Sequence, residues 1–156
     1  MTPEEEISSL GLSIPNGRST SLGSYIPITK TENLIFISGQ IPIDIESGNS
    51  GLKYKGKVGK DISIDEAQKA AIICCLNALF YLKNLIKDLD KIKKIIKLTG
   101  YVNCKEDFID HPKVINGASD FLIKIFGEKG RHTRVAIGVN SLPLDAPVEI
   151  DFMIQI

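Results

Sequence analysis

Arg134 and Glu149 are the two residues whose types and setting point to chemistry. Residues 148–156 alternate without a break, with Val148, Ile150, Phe152, Ile154 and Ile156 on one side and Glu149, Asp151, Met153 and Gln155 on the other. Residues 134–141 read as a second strand. In it Val135, Ile137 and Val139 fit the apolar, helix-facing side, and Arg134, Ala136, Gly138 and Asn140 fit the side of Glu149. If the two strands pair in antiparallel fashion, a guanidinium and a carboxylate project from one surface among small neighbours. A planar guanidinium grips an anion through two parallel hydrogen bonds, which an ammonium does less well. A carboxylate about 3 Å from a water can orient it and take its proton. The plainer alternative is a half-exposed ion pair contributing roughly 0 to 1 kcal/mol.

The other reactive side chains are few. Cys74 and Cys75 lie in an apolar run and are expected to be buried thiols, and no C-x-x-C spacing offers a zinc site. Cys104 follows a strand with only Lys105 as a basic neighbour in sequence, so it is not expected to be a nucleophile. His111 precedes Pro112 and reads as part of a helix start, while His132 suits either a proton shuttle or a hydrogen-bonded structural role. No second ligand stands at helical spacing from either histidine, so neither a metal nor a cofactor is expected.

The elements that must carry these residues fit one domain, residues 1–156, with an N-terminal arm over 1–24. Hydrophobic residues make up 43% and charged residues 24%, a globular balance, and no apolar run approaches the 18 residues a bilayer span requires. Nineteen basic and nineteen acidic residues cancel, so no positive field favours a nucleic-acid backbone or an anionic membrane. The acidic start, Thr2-Pro3-Glu4-Glu5-Glu6, is unlike a signal peptide, which makes a cytoplasmic location the expectation.

A hairpin is predicted over 25–38, a loop-rich excursion over 46–60 with a short strand at 52–55, and a strand over 91–103. Ser63-Ile64-Asp65-Glu66 is a capping box, followed by a stripe of Ala67, Ala70, Ala71, Cys74, Ala78, Leu82, Leu85 and Leu89. A second helix opens near Asp110 with Pro112 in its first turn, ends at Gly127, and turns Val114, Ala118, Leu122 and Ile125 to the core. One sheet covered by two helices on one face leaves its other face to water or to another subunit, and an oligomer through that face is the economical solution.

An ordered set of motifs then resembles the RidA/YjgF family, whose members also carry the name endoribonuclease L-PSP. The motifs are Ser38-Gly39-Gln40-Ile41-Pro42, Glu66-Ala67-Gln68, Asn116-Gly117-Ala118-Ser119, and Arg134 followed by Pro143 and Glu149. The match runs from about Leu22 to Ile156 and is most similar to a longer branch with an extended N-terminal arm and the stretch Gly130-Arg131-His132-Thr133-Arg134.

The resemblance implies an α+β, chorismate-mutase-like fold, a mixed sheet with two helices on one face. It implies a homotrimer with clefts between subunits, and hydrolytic deamination of reactive 2-imino or enamine acids of the 2-aminoacrylate type to 2-keto acids and ammonia. By position, Arg134 matches the arginine that binds the substrate carboxylate, Glu149 the acid that positions water, and Tyr25 a cleft tyrosine. Ser38 and Gly39 match the segment lining the pocket, and Asn116 a cleft asparagine. Some relatives have a cysteine two residues after the arginine; here Ala136 stands there, so covalent chemistry at that point is not expected. The alternatives are a noncatalytic trimer that binds small carboxylates and an endoribonuclease. Aromatic residues are only 6%, with no tryptophan, which offers RNA neither a basic groove nor a stacking platform.

Overall fold

The computed structural model describes residues 1–17, 22–46 and 51–156; part of the proposed arm, 18–21, and part of the excursion, 47–50, lie outside the described residues. The arm begins with a helix, α1 (Pro3–Ser9), closed by a capping box between Thr2 and Glu5. Ile7 of α1 is buried in the main core, and Glu6 reaches Lys124 at 3.6 Å, so this part of the arm is docked. β1 (Ile28–Thr31) and β2 (Leu34–Gln40) form the hairpin, with Glu32 taking a left-handed φ of 51° at its tip. The expected strand at 52–55 is reduced to one bridge, Ile43 with Leu52.

α2 (Ile64–Ile86) starts at the predicted box: the Ser63 hydroxyl accepts from the Glu66 amide at 3.2 Å, and the Glu66 carboxylate accepts from the Ser63 amide at 2.9 Å. By length and composition α2 resembles a membrane span, yet here it is a core helix whose Ala67, Ala70, Ala71, Cys74 and Leu82 are fully buried. Leu85, read as part of that stripe, is exposed in the last turn of the helix, which ends at Ile86 with Lys87 as its cap at φ 70°. β3 (Lys94–Asn103) follows, then α3 (His111–Phe126), with Pro112 in the first turn and Gly127 at the end. Gly117 lets the helices close: a Cβ there would sit 2.7 Å from the Gln68 carbonyl.

β4 (Thr133–Val139) and β5 (Val148–Gln155) complete a five-stranded mixed sheet in the order β1-β2-β5-β3-β4. This corrects the expected pairing. β5 lies between β2 and β3, antiparallel to both, and β4 pairs only with β3, in parallel. The expected facing of β4 is also reversed. Ala136 packs against the core below the helices, while Val135 and Ile137 are 46% and 43% exposed on the open face. Alternation fixes which residues share a face but not which face is inside. Here the small residues, Ala136 and Gly138, turn inward because the start of α3 comes close to β4. The open face therefore carries apolar side chains, Phe36 among them.

Candidate functional site

One bulge shapes the cleft that holds Glu149. Ile37 faces Phe152 but Gln40 faces Ile150, so β2 carries one residue more than β5 across Ser38 and Gly39. A Cβ on Gly39 would fall 2.3 Å from the Glu149 carboxylate oxygen, so only glycine leaves the carboxylate its place. The Ser38 hydroxyl donates to the Ile26 carbonyl at 2.8 Å and its amide to the Pro27 carbonyl at 2.9 Å, which ties the segment bearing Tyr25 to β2. The resulting cleft of about 490 Å³ is lined by Tyr25, Ser38, Gly39, Asn77 and Glu149 together with apolar Ile41 and Ile43. Burial, and then the negative charge of Asp151, push the Glu149 carboxyl above the usual carboxylate range. Such a group both accepts and returns a proton nearer neutral pH than a solvated glutamate.

Asn77 belongs to this cleft and was not singled out by sequence. It is buried on α2 and donates to the Ile43 carbonyl at 2.9 Å and the Ile41 carbonyl at 3.3 Å, fixing the cleft wall, while its side-chain oxygen is buried without a hydrogen-bond partner. Its one sequence signal is an amide inside an otherwise apolar helical run.

Arg134 is elsewhere. Contrary to the shared surface expected with Glu149, its side chain turns to the helix side and is held by α3. One guanidinium nitrogen donates to the Ser119 hydroxyl at 3.0 Å and the other to the Pro112 carbonyl at 3.2 Å. Glu149 is on the other side of the sheet, in register with Tyr101, whose phenol is raised by burial and by Asp151 and Glu149. β3 separates the two strands, and no ion pair joins Arg134 to Glu149 among the described residues.

A chain of hydrogen bonds stands behind the guanidinium. Ser119 Oγ lies 2.9 Å from His132 Nε2, and His132 Nδ1 lies 2.6 Å from the Gly130 carbonyl. A carbonyl only accepts, so Nδ1 carries the proton, Nε2 accepts from the serine, and the serine's remaining lone pairs face Arg134. Burial lowers the His132 pKa, and Arg134 and Lys94 lower it further against the pull of the Gly130 carbonyl, which favours this neutral form. Of the two readings left open for His132, the hydrogen-bonded positioning one fits the geometry. Asn116 shares a face of α3 with Pro112 and Ser119 by spacing, and it does not line the Glu149 cleft. Ser119 lay inside a recognised motif, but nothing in sequence linked it to Arg134.

Within one chain the candidate residues thus fall into two groups, Glu149 with Tyr25, Ser38 and Gly39 in the cleft, and Arg134 on β4 against the face of α3 that carries Asn116. A family model described as "YjgF/chorismate mutase-like, putative endoribonuclease" matches residues 4–154, and the chain belongs to the YjgF/RidA family. A Trypanosoma cruzi protein named TCP17 is 32% identical over 148 residues, 94% of this chain and 89% of that protein. A structure from Agrobacterium tumefaciens, described as a protein of unknown function, is 37% identical with a TM-score of 0.89 over 99% of this chain and 94% of that one. A Shewanella oneidensis protein with the same endoribonuclease name is 33% identical with a TM-score of 0.91 over the whole of both chains.

Proposed function

We propose that this chain hydrolyses small 2-imino or enamine acids of the 2-aminoacrylate type, in the cytoplasm, inside clefts completed by neighbouring copies in a homotrimer. The observation that carries the reading is the split site. Each chain has a desolvated carboxylate in a cleft at one place and an anchored guanidinium on the edge strand β4 at another. The two half-sites meet on one substrate only if Arg134 comes from one subunit and Glu149 from the next. Exposed Phe36, Val135 and Ile137 on the open sheet face support burial against another copy.

In this reading Arg134 binds the substrate carboxylate and Asn116 lies beside it. Tyr25 and the Ser38-Gly39 bulge wall the opposite side. Glu149 takes a proton from a water as it attacks the C=N carbon, then returns a proton to the departing ammonia; its raised pKa suits both steps. The imine is already polarised, so positioning and proton transfer carry the reaction. Freshly generated 2-aminoacrylate should release its keto acid faster with the protein than without it, and Arg134→Ala should abolish the acceleration. No acceleration by the wild-type chain would contradict the assignment.

A noncatalytic carboxylate binder would use the same residues, and it is favoured by one observation: the Arg134 guanidinium is already held by two acceptors, as in a static binding site. Binding of 2-keto acids that is lost in Arg134→Ala, with no turnover, would mark that case. RNA cleavage, the activity in the family's name, has the least support from a chain of zero net charge. Retention of single-stranded RNA with nuclease products from highly purified protein would reverse that ranking.

A further inference from the structure

We propose that Cys104 and His111 form a thiol–imidazole pair that exchanges with small anionic disulfides, in a cavity separate from the Glu149 cleft. Along the chain Cys104 has only Lys105 as a basic neighbour, but the fold adds two groups beside it. His111, at the start of α3, places Nε2 3.5 Å from Cys104 Sγ. Lys57 comes from far earlier in the chain, through a bridge between Val58 and Cys104. Its ammonium is fixed by Asn103 Oδ1 at 2.9 Å and by the Asn140 carbonyl.

The pair lines a cavity of about 640 Å³ with Lys57, Lys105, Glu106 and Gly138. Two features hold the imidazole on the thiol. The Phe108 ring meets the His111 ring edge to face, with centroids 5.3 Å apart and planes at 86°. Gly138 supplies the space: a Cβ there would lie 2.4 Å from His111 Nε2 and 3.1 Å from Cys104 Sγ.

Burial pushes the Cys104 thiol up and Lys57 pulls it back only in part, so the free thiol is protonated and needs a base to react. His111 is in place to be that base. The Sγ proton passes to Nε2, and the thiolate attacks one sulfur of the small disulfide. A new bond forms from Sγ to that sulfur, the original S–S bond breaks, and the departing thiolate takes the proton back from Nε2 and leaves as a thiol. Cys104 is oxidised to the disulfide level while half of the small disulfide is reduced. Lys57 and Lys105 set the preference for an anionic partner, although Lys105 also pairs with Asp107 at 3.2 Å. Cys74 and Cys75 are fully buried, and burial pushes both thiols up, so they serve as silent internal controls.

The test is intact-mass and peptide-mass spectrometry of the reduced full chain exposed to glutathione disulfide at neutral pH. The expected result is a single mixed disulfide on Cys104, absent in Cys104→Ser. His111→Gln should form it about tenfold more slowly, and so should Gly138→Ala, which crowds the imidazole off the thiol. Cystamine, a cationic disulfide, should react more slowly than glutathione disulfide. No adduct on Cys104, a first adduct on Cys74 or Cys75, an unchanged rate in both His111→Gln and Gly138→Ala, or a faster reaction with cystamine would overturn the proposal. None of these outcomes depends on Arg134 or Glu149.

Discussion

Glu149 stands in a cleft that takes water away from it, whereas Arg134 stands on an edge strand that ties it down with hydrogen bonds. The carboxylate is tuned by desolvation: apolar Ile41 and Ile43 share its cleft, a glycine beside it gives it room, and Asp151 adds to the upward shift. The arginine is tuned by geometry, through Ser119, the Pro112 carbonyl, and His132 behind the serine. A group that must change protonation gains from a raised pKa, and a group that must only hold an anion gains from a fixed orientation. The contrast fits the roles proposed above, acid–base catalyst for Glu149 and carboxylate grip for Arg134.

Substitutions that break one half and spare the other make the comparison sharper. Glu149→Gln should lower kcat on 2-aminoacrylate by about 10²–10⁴-fold while 2-keto-acid binding survives, which steady-state kinetics and calorimetry would separate. Arg134→Ala should lower kcat/KM by about 10²-fold or more and remove 2-keto-acid binding as well. Gly39→Ala displaces the Glu149 carboxylate without touching Arg134, so kcat should fall roughly tenfold with KM little changed. Ser119→Ala loosens the guanidinium by about 1 kcal/mol, roughly fivefold in KM with kcat nearly unchanged.

The smallest effect is on stability. The folded chain holds the Glu149 proton more tightly than the unfolded chain does, so ionising Glu149 costs stability. That cost is absent in acid, grows as pH rises from the ordinary carboxylate value through the raised one, and is constant above. Glu149→Gln should therefore melt slightly higher than wild type at neutral pH, with the difference vanishing at low pH in thermal scans.

Much of the architecture was legible from residues alone. The Ser63–Glu66 box, the Asp110-to-Gly127 helix and the alternation after Val148 each encode a local structure through hydrogen bonds or periodicity, and each is present as predicted. Strand order was not legible, because insertion of β5 between β2 and β3 is decided by long-range packing. The facing of β4 misled for a physical reason: bulky Val135 and Ile137 look like core, but this sheet has apolar residues on its open face too. The family resemblance picked out Tyr25, Ser38, Gly39, Asn116, Arg134 and Glu149 as one set; Tyr25, Ser38, Gly39 and Glu149 line one cleft, and Arg134 and Asn116 do not. Ser119, Asn77 and the Cys104–His111 pair were not picked out, since their partners lie far away in sequence and only the fold joins them.

Mixing two dead variants tests the shared cleft most directly. Arg134→Ala and Glu149→Gln chains would be unfolded together, refolded at equal ratio and assayed on 2-aminoacrylate. Random assembly of trimers puts both variants in about three quarters of them, and each such trimer has one cleft of three with both groups intact, so about a quarter of wild-type activity should return. If each chain carried its own complete site, the mixture would stay as inactive as its two components.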